Sequence, residues 1–346
     1  MHSHLEENRG LSEEAQKALD GLYLVSGSGH PELAERTAKE LGVELGQVTL
    51  KTFDDDDQYV RFPESVRDKD VVIIQSHVRT PTHGMDKLVW QTLLMAQAAR
   101  LSSAKSVTVV MPKPAYDRGD RMAKPREAVP VDLFLRTLDE VAKAKRVVVV
   151  DIHNPVSLNS FNGPRDPMTA QDIIFDALRE RINGRNDEFT IVAADSGSWK
   201  VSENASEALG VDLTYSPKTR ERSDSAMVRR PPTVPGVEGL HCIIVDDQVS
   251  TGTTMRGAAD VLKDSGAADL IIAATHGLFV KNGLELLDVP FIKEIIVTDS
   301  VPPDRAKAAL GDKLTVESIA PLLAETILQI ITGGSVTEIF KGKAHH

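Results

Sequence analysis

Short apolar, β-branched runs recur along this chain, separated by amphipathic segments, and that alternation restricts its fold more than any other feature. The runs are Gly21–Ser26, Val71–Gln75, Ser106–Met111, Arg146–Asp151, Phe189–Ala194, Leu240–Val245, Leu270–Thr275 and Ile292–Thr298. Between them, apolar residues keep helical spacing in Pro31–Leu41, Lys87–Leu101, Val131–Ala144, Ala170–Ile182, Met255–Ser265 and Ala320–Thr332. Strands that are hydrophobic throughout, separated by helices, predict an α/β protein whose mainly parallel sheets are covered on both faces. At 346 residues the chain favours two domains over one. The turn-forming stretch NPVSLNSFNGPR, just after His153, predicts the domain change near residue 165.

In open α/β sheets ligands bind at the carboxyl ends of strands. The polar oddities of this chain gather there: Asp151-Ile152-His153, Asp195-Ser196-Gly197-Ser198, Pro112–Arg126 and, above all, Asp246–Thr254. The last of these begins with two carboxylates, Asp246 and Asp247, where the apolar run stops. It then turns through Ser250, Thr251, Gly252, Thr253 and Thr254 into a helix predicted from Met255. Such a turn aims backbone N–H groups and hydroxyls at one point, which suits a phosphate. The paired acids are placed to hold ribose hydroxyls, directly or through a divalent cation. Taken singly, a Ser or Thr before a helix is a cap and an Asp after a strand is a turn residue. The whole string behind a buried strand reads as a sugar-phosphate cradle.

Composition removes several alternatives. A formal charge of −11 argues against a nonspecific nucleic-acid binder, which needs a net basic surface, and aromatics at 4% leave little for base stacking. Small anionic ligands need only local cations, and these cluster at Arg118–Arg126 and Lys218–Arg222. The apolar stretches are too short to span a bilayer and the N-terminus lacks the order of a secretory signal, so a cytoplasmic protein is expected. Cys242 is the sole cysteine, so no internal disulfide forms, and its place in a strand predicts core packing. Residues 217–239 are charged and proline-rich without periodicity, which predicts a long mobile excursion.

The turn VDDQVSTGTT resembles the phosphoribosyl-pyrophosphate loop shared by phosphoribosyltransferases and ribose-phosphate pyrophosphokinases. From about residue 23 to about residue 340 the chain is similar to the pyrophosphokinase (PRPP synthetase) family. The resemblance is carried by YLVSGSGHPELAERTAKELGV, TFDDDDQYVRFPESVRDKDVVIIQS, PAYDRGDRMAKPREAV, VVVDIHNP, ADSGSWK, the turn itself and SIAPLLAETILQIITGGSVTEIF. It implies two phosphoribosyltransferase-type domains: residues 22–165 on the ATP side, joined by the C-terminal segment 320–340, and 166–319 binding ribose 5-phosphate. Residues 1–21 form an extension without an assigned role.

What the resemblance implies for single residues follows the family motifs. Phe53, Asp55 and Asp57 reach the adenine of a neighbouring subunit, and Arg118 contacts the ATP phosphates. Asp151 and His153, with Asp166, hold the Mg2+ of Mg-ATP, His153 also counting among the ATP ligands. Asp195 stands beside ribose 5-phosphate, together with Asp246, Asp247 and Ser250–Thr254. Lys218 and Arg220 form the cationic pair of a catalytic loop that closes over the reacting groups. Unaided, the run Asp54–Asp57 reads as a solvated turn and PKTRER as a solvated loop. The implied reaction transfers the pyrophosphoryl group of ATP to ribose 5-phosphate, in a homo-oligomer that family resemblance makes a hexamer. A noncatalytic subunit binding phosphoribosyl compounds is a second reading, and a phosphoribosyltransferase a third. The chain departs from the family pattern at Gly119, where Gln is common, at Asn162, where an acid is frequent, and at Ser198 and Thr253, where glycine is common.

Overall fold

The computed structural model describes residues 12–195, 197–215 and 233–340. They form two compact units, one of residues 12–170, 300–302 and 318–340, the other of residues 171–299 and 303–317.

The first unit contains α1 (Glu13–Asp20), β1 (Leu22–Ser26), α2 (Pro31–Leu41), β2 (Thr49–Thr52), β3 (Gln58–Arg61), β4 (Asp70–Ile74), α3 (Met85–Leu101), β5 (Ser106–Met111), α4 (Pro130–Arg136), β6 (Arg146–Val150) and β7 (Arg165–Met168). Its parallel sheet has the order β1-β4-β5-β6-β7. Alternation within each strand fills both faces. Val71, Ile73, Val107, Val109, Val147 and Val149 enter one core with α3 and α4, while Val72, Ile74, Val110, Val148 and Val150 are buried on the other face. The division between the two units falls after Ala170, and residues 165–168 pair with β6 as an edge strand of the first.

The second unit contains α5 (Gln171–Ile182), β8 (Phe189–Ala193), α6 (Trp199–Leu209), β9 (Asp212–Tyr215), β10 (His241–Val249), α7 (Thr253–Asp264), β11 (Asp269–Gly277), α8 (Gly283–Leu287), β12 (Ile292–Thr298), α9 (Asp304–Leu310) and β13 (Leu314–Glu317). The sheet order is β13-β12-β11-β10-β8-β9. Along β10, Cys242 and Ile244 join the core beneath α7, whereas Ile243 and Val245 join the core beneath α5 and α6. Burial pushes the Cys242 thiol up to about 12, so this cysteine packs and does not react. The chain then returns to the first unit as α10 (Ala320–Thr332), which packs against α1 and α2. Part of the unassigned extension is therefore a docked helix: Ser12 caps α1 by accepting from the Ala15 N–H, and Ala15 and Leu19 are buried.

Two local expectations change. The strand before the acidic pair does not stop there, since β10 keeps pairing with β11 through Asp246↔Ala274, Gln248↔His276 and Val249↔Gly277. The helix after the turn begins at Thr253, two residues before Met255.

Candidate active site

In the first unit Arg118, Asp151 and His153 follow the carboxyl ends of the adjacent strands β5 and β6. Arg118 is exposed in the loop after β5, and Asp151 and His153 follow β6. Asp151 is held at φ 37°, a left-handed conformation that costs a non-glycine residue energy. Its N–H donates to the Met168 carbonyl at 2.9 Å, and its Oδ2 accepts from the Ala170 N–H at 2.9 Å. The carboxylate is thereby oriented by the end of β7. The two loops are tied together, since the Asn154 amide donates to Asp120 Oδ2 at 2.5 Å while Asn154 Oδ1 accepts from the Val156 N–H at 3.1 Å.

Asp166 is not brought to this edge. It lies inside β7 opposite Val148, and its carboxylate is paired with Arg146, the first residue of β6. Asp151 lies beyond the other end of that strand. Among the described residues no three His, Cys, Asp or Glu side chains are grouped to hold a metal ion.

Several residues with no sequence signal brace the Arg118 loop. Lys113 Nζ donates to Asp117 Oδ2 at 2.5 Å, with both side chains under a tenth exposed. The Tyr116 hydroxyl donates to Asp86 at 2.5 Å. Burial and that bond to a carboxylate push the phenol up to about 12. Gly119 lies so close to α4 that a Cβ there would meet Pro130 Cγ at 2.6 Å. A side chain at this position would force the loop or α4 to shift, so glycine fits the packing seen here. Behind the loop, His77 sits beside Thr92 (Nε2 to Oγ1, 2.9 Å) and edge-on to Phe134. Burial, the largest influence, holds the His77 imidazole down to about 3, so it is neutral at ordinary pH.

Phe53, Asp55 and Asp57 occupy the tip between the antiparallel strands β2 and β3, all exposed. The Phe53 N–H donates to the Asp57 carbonyl at 2.9 Å, closing the turn, and Lys51 Nζ lies 4.7 Å from the centre of the Phe53 ring. The turn thus presents an aromatic ring and a row of carboxylates outward.

In the second unit, β8 lies between β9 and β10, so the strand order reverses at β8 and β10. That switch point is where open α/β sheets bind ligands, and Asp195 and Asp246 stand there. Asp195 Oδ1 accepts from the N–H groups of Gly197 at 2.8 Å and Ser198 at 3.1 Å, and the Asp195 N–H donates to Ser198 Oγ at 3.3 Å. The serine in a common glycine position is thus part of the turn. Asp246 and Asp247 are half-buried, and the Asp247 N–H donates to Asp246 Oδ1 at 2.9 Å. Desolvation, then the charge of Asp247 and, more weakly, that of Asp195, raise the Asp246 carboxyl to about 8. Crowding of two carboxyls in this way is relieved by a bound proton, by hydroxyl donors or by a cation.

Beyond the acids, Gly252 adopts φ 75°, and a Cβ there would meet Leu287 Cγ at 3.1 Å and the Gly283 carbonyl at 3.2 Å. Thr253 and Thr254 form the first turn of α7, whose leading N–H groups have no helical acceptor. Thr253 is exposed, with its hydroxyl 2.9 Å from that of Thr251. Asn162 donates through its N–H and its amide to Asp139 Oδ2, at 3.1 and 2.7 Å, and so braces the surface turn. Lys218 and Arg220 lie outside the described residues.

Comparison with known proteins shows the family. Residues 22–150 match the family model for the N-terminal domain of ribose phosphate pyrophosphokinase, and residues 198–341 match the phosphoribosyl synthetase-associated domain. The chain is 39% identical over 324 residues to the ribose-phosphate pyrophosphokinase of Corynebacterium glutamicum, covering 93% of this chain and 97% of that one. It is 37% identical over 328 residues to that of Bifidobacterium longum, covering 94% of each. The crystal structure of phosphoribosylpyrophosphate synthetase from Mycobacterium smegmatis superposes with a TM-score of 0.81 at 36% identity, covering 90% of this chain and 99% of that one. With a parallel-sheet α/β fold and both family domains present along nearly its whole length, the chain belongs to the ribose-phosphate pyrophosphokinase family of enzymes.

Proposed function

We propose that this protein transfers the pyrophosphoryl group of Mg-ATP to the anomeric hydroxyl of ribose 5-phosphate, giving 5-phosphoribosyl 1-pyrophosphate and AMP. The observation that carries the reading is the Asp246/Asp247 pair, set at the switch point of the sheet beside the amide-lined turn Ser250–Thr254. The turn takes the 5-phosphate through backbone N–H groups and the hydroxyls of Thr251, Thr253 and Thr254. Asp246 and Asp247 accept from the ribose hydroxyls, Asp195 stands beside them, and the anomeric oxygen is left to react.

That oxygen attacks the β-phosphorus. A new O–P bond forms as the bond from the β-phosphorus to the oxygen of the α-phosphate breaks, AMP leaves, and the hydroxyl proton passes to solvent. Arg118 holds the triphosphate, His153 adds to that contact, and Lys218 with Arg220 brings positive charge to the oxygens that gain it. No covalent intermediate on the protein is needed, because orientation and electrostatics supply the rate.

Asp151 and His153 fit a magnesium ion that arrives on nucleotide phosphates, since Mg2+ keeps several waters and takes only one or two protein ligands. Bound there, the ion neutralises phosphate charge. Asp166 does not fit that role, because Arg146 already neutralises its carboxylate. The exposed tip of Phe53, Asp55 and Asp57 supports adenine contact in a neighbouring subunit of a homo-oligomer, hexameric as the family resemblance implies. A cytoplasmic site is in keeping with ATP as donor, and among the described residues no helix is long and apolar enough to cross a membrane.

Chromatography for AMP after incubation with ribose 5-phosphate and Mg-ATP tests the reading. Stoichiometric AMP and phosphoribosyl pyrophosphate are expected. Nucleotide binding without AMP would make the chain a noncatalytic subunit, and consumption of phosphoribosyl pyrophosphate with a free base would make it a phosphoribosyltransferase.

A further inference from the structure

We propose that the buried Lys113–Asp117 ion pair is a positioning device for Arg118: it fixes the backbone of the nucleotide loop and keeps the Asp117 carboxylate away from the neighbouring guanidinium. The proposal rests on the reading of Arg118 as a ligand of the ATP phosphates.

Five observations lead to it. The pair is four residues apart in sequence, yet it spans a loop and not a helix, so its two charges staple a segment that has no ladder of backbone bonds. Lys113 also donates to the Pro114 carbonyl at 3.2 Å, and its own carbonyl accepts from the His77 N–H at 2.8 Å, so the staple is anchored to the strand-end of β4. The intervening Tyr116 is held at φ 56°, a strained conformation for a bulky residue, and its hydroxyl is fixed by Asp86. At the far end of the loop, Gly119 is pressed on Pro130 and Asp120 on Asn154. Between these anchors only Arg118 is exposed, and it makes no ion pair among the described residues.

Charge explains why a pair is used. A carboxylate directly before a phosphate-binding arginine is a competitor for that arginine. Asp117 is instead taken inward by a lysine that is itself buried, and the pair is mutually neutral. Burying an ion pair adds little to stability compared with apolar side chains of similar volume, but it fixes direction, and catalysis depends on placement to within an ångström.

The test uses the full-length protein and three variants, D117N, K113M/D117L and K113R. Mg-ATP and ribose 5-phosphate affinities are measured separately by calorimetry, with thermal melts alongside. D117N and K113M/D117L are expected to lose about 10–100-fold in ATP affinity while ribose 5-phosphate affinity holds. The melting temperature of K113M/D117L should stay near that of wild type, because no buried charge is left unpaired. K113R, which retains the pair, should bind ATP like wild type. Wild-type ATP affinity in K113M/D117L, or parallel losses for both ligands, would overturn the proposal. AMP formation by the wild type is read independently, so failure of the catalytic reading is distinguished from failure of this one.

Discussion

The Asn154 side-chain amide donates to Asp120 Oδ2 at 2.5 Å, a bond that ties the loop of Arg118 to the loop of Asp151 and His153. Both loops leave adjacent strands, and this side-chain bridge sets one against the other. A hydrogen bond to a charged group contributes about 1.5–3 kcal/mol. Asn154→Ala is expected to lower stability by about 1–2 kcal/mol and to raise the KM for ATP about tenfold, with the KM for ribose 5-phosphate unchanged. Urea unfolding and initial-rate kinetics check the two halves. Equal changes in both KM values would mean that the bridge does not order the nucleotide side.

Gly119 supplies a prediction in the opposite direction to family intuition. Restoring the common glutamine should harm the protein, because its Cβ would fall 2.6 Å from Pro130 Cγ and 3.2 Å from the Tyr116 carbonyl. Neither neighbour is the end of a flexible chain. Gly119→Gln is expected to cost about 1–3 kcal/mol as overpacking does, and Pro130→Ala in the same chain should recover part of the loss. A melt of the single and double variants decides it, and a G119Q protein as stable as wild type would contradict the packing account.

The alternation of apolar runs made the sheets legible because Ile243 and Ile244, neighbours in sequence, enter two different cores, so every residue of such a strand must be apolar. Helix limits were legible where backbone chemistry marks them: α2 begins at Pro31 and ends at Gly42, which takes φ 70°. The hairpin of β2 and β3 is not legible in the sequence because it is only half-covered, Thr49, Lys51, Tyr59 and Arg61 being exposed, and four-residue strands leave little periodicity. The cradle was legible because its residues are consecutive. The partners of Asp166 and Asp117 were not: Arg146 meets Asp166 through cross-strand register, and a lysine and aspartate in a proline-rich loop look like solvated charges until the loop is folded. Local chemistry is written in order along the chain, whereas neutralisation depends on which distant residues are brought together.

Lys218 carries a kinetic prediction. If it reaches the reacting phosphates only as the transition state forms, charge reversal removes stabilisation that the ground state does not feel. Lys218→Glu should lower kcat by about 10²–10³-fold and leave the ribose 5-phosphate Kd within about threefold of wild type. Single-turnover measurement of AMP beside equilibrium titration separates the two. A comparable loss in sugar-phosphate affinity would assign Lys218 to binding.

Asp246 should make the ligand-free protein less stable as pH rises. Its carboxyl is raised from an ordinary 3.8 to about 8 by burial and by Asp247. Between those values the folded protein holds a proton that the unfolded chain has released, so stability falls as pH climbs from about 4 toward 8 and levels off above the folded value. Asn keeps the shape and cannot ionise. Asp246→Asn should therefore flatten the pH profile of urea unfolding, with little change at pH 4 and a gain on the order of 2 kcal/mol at pH 8. The same substitution removes an acceptor for the ribose hydroxyls, so ribose 5-phosphate affinity should fall as stability rises. An unchanged slope in the variant would move the source of the pH dependence to other groups, and a stable variant with undiminished sugar-phosphate affinity would remove Asp246 from the cradle.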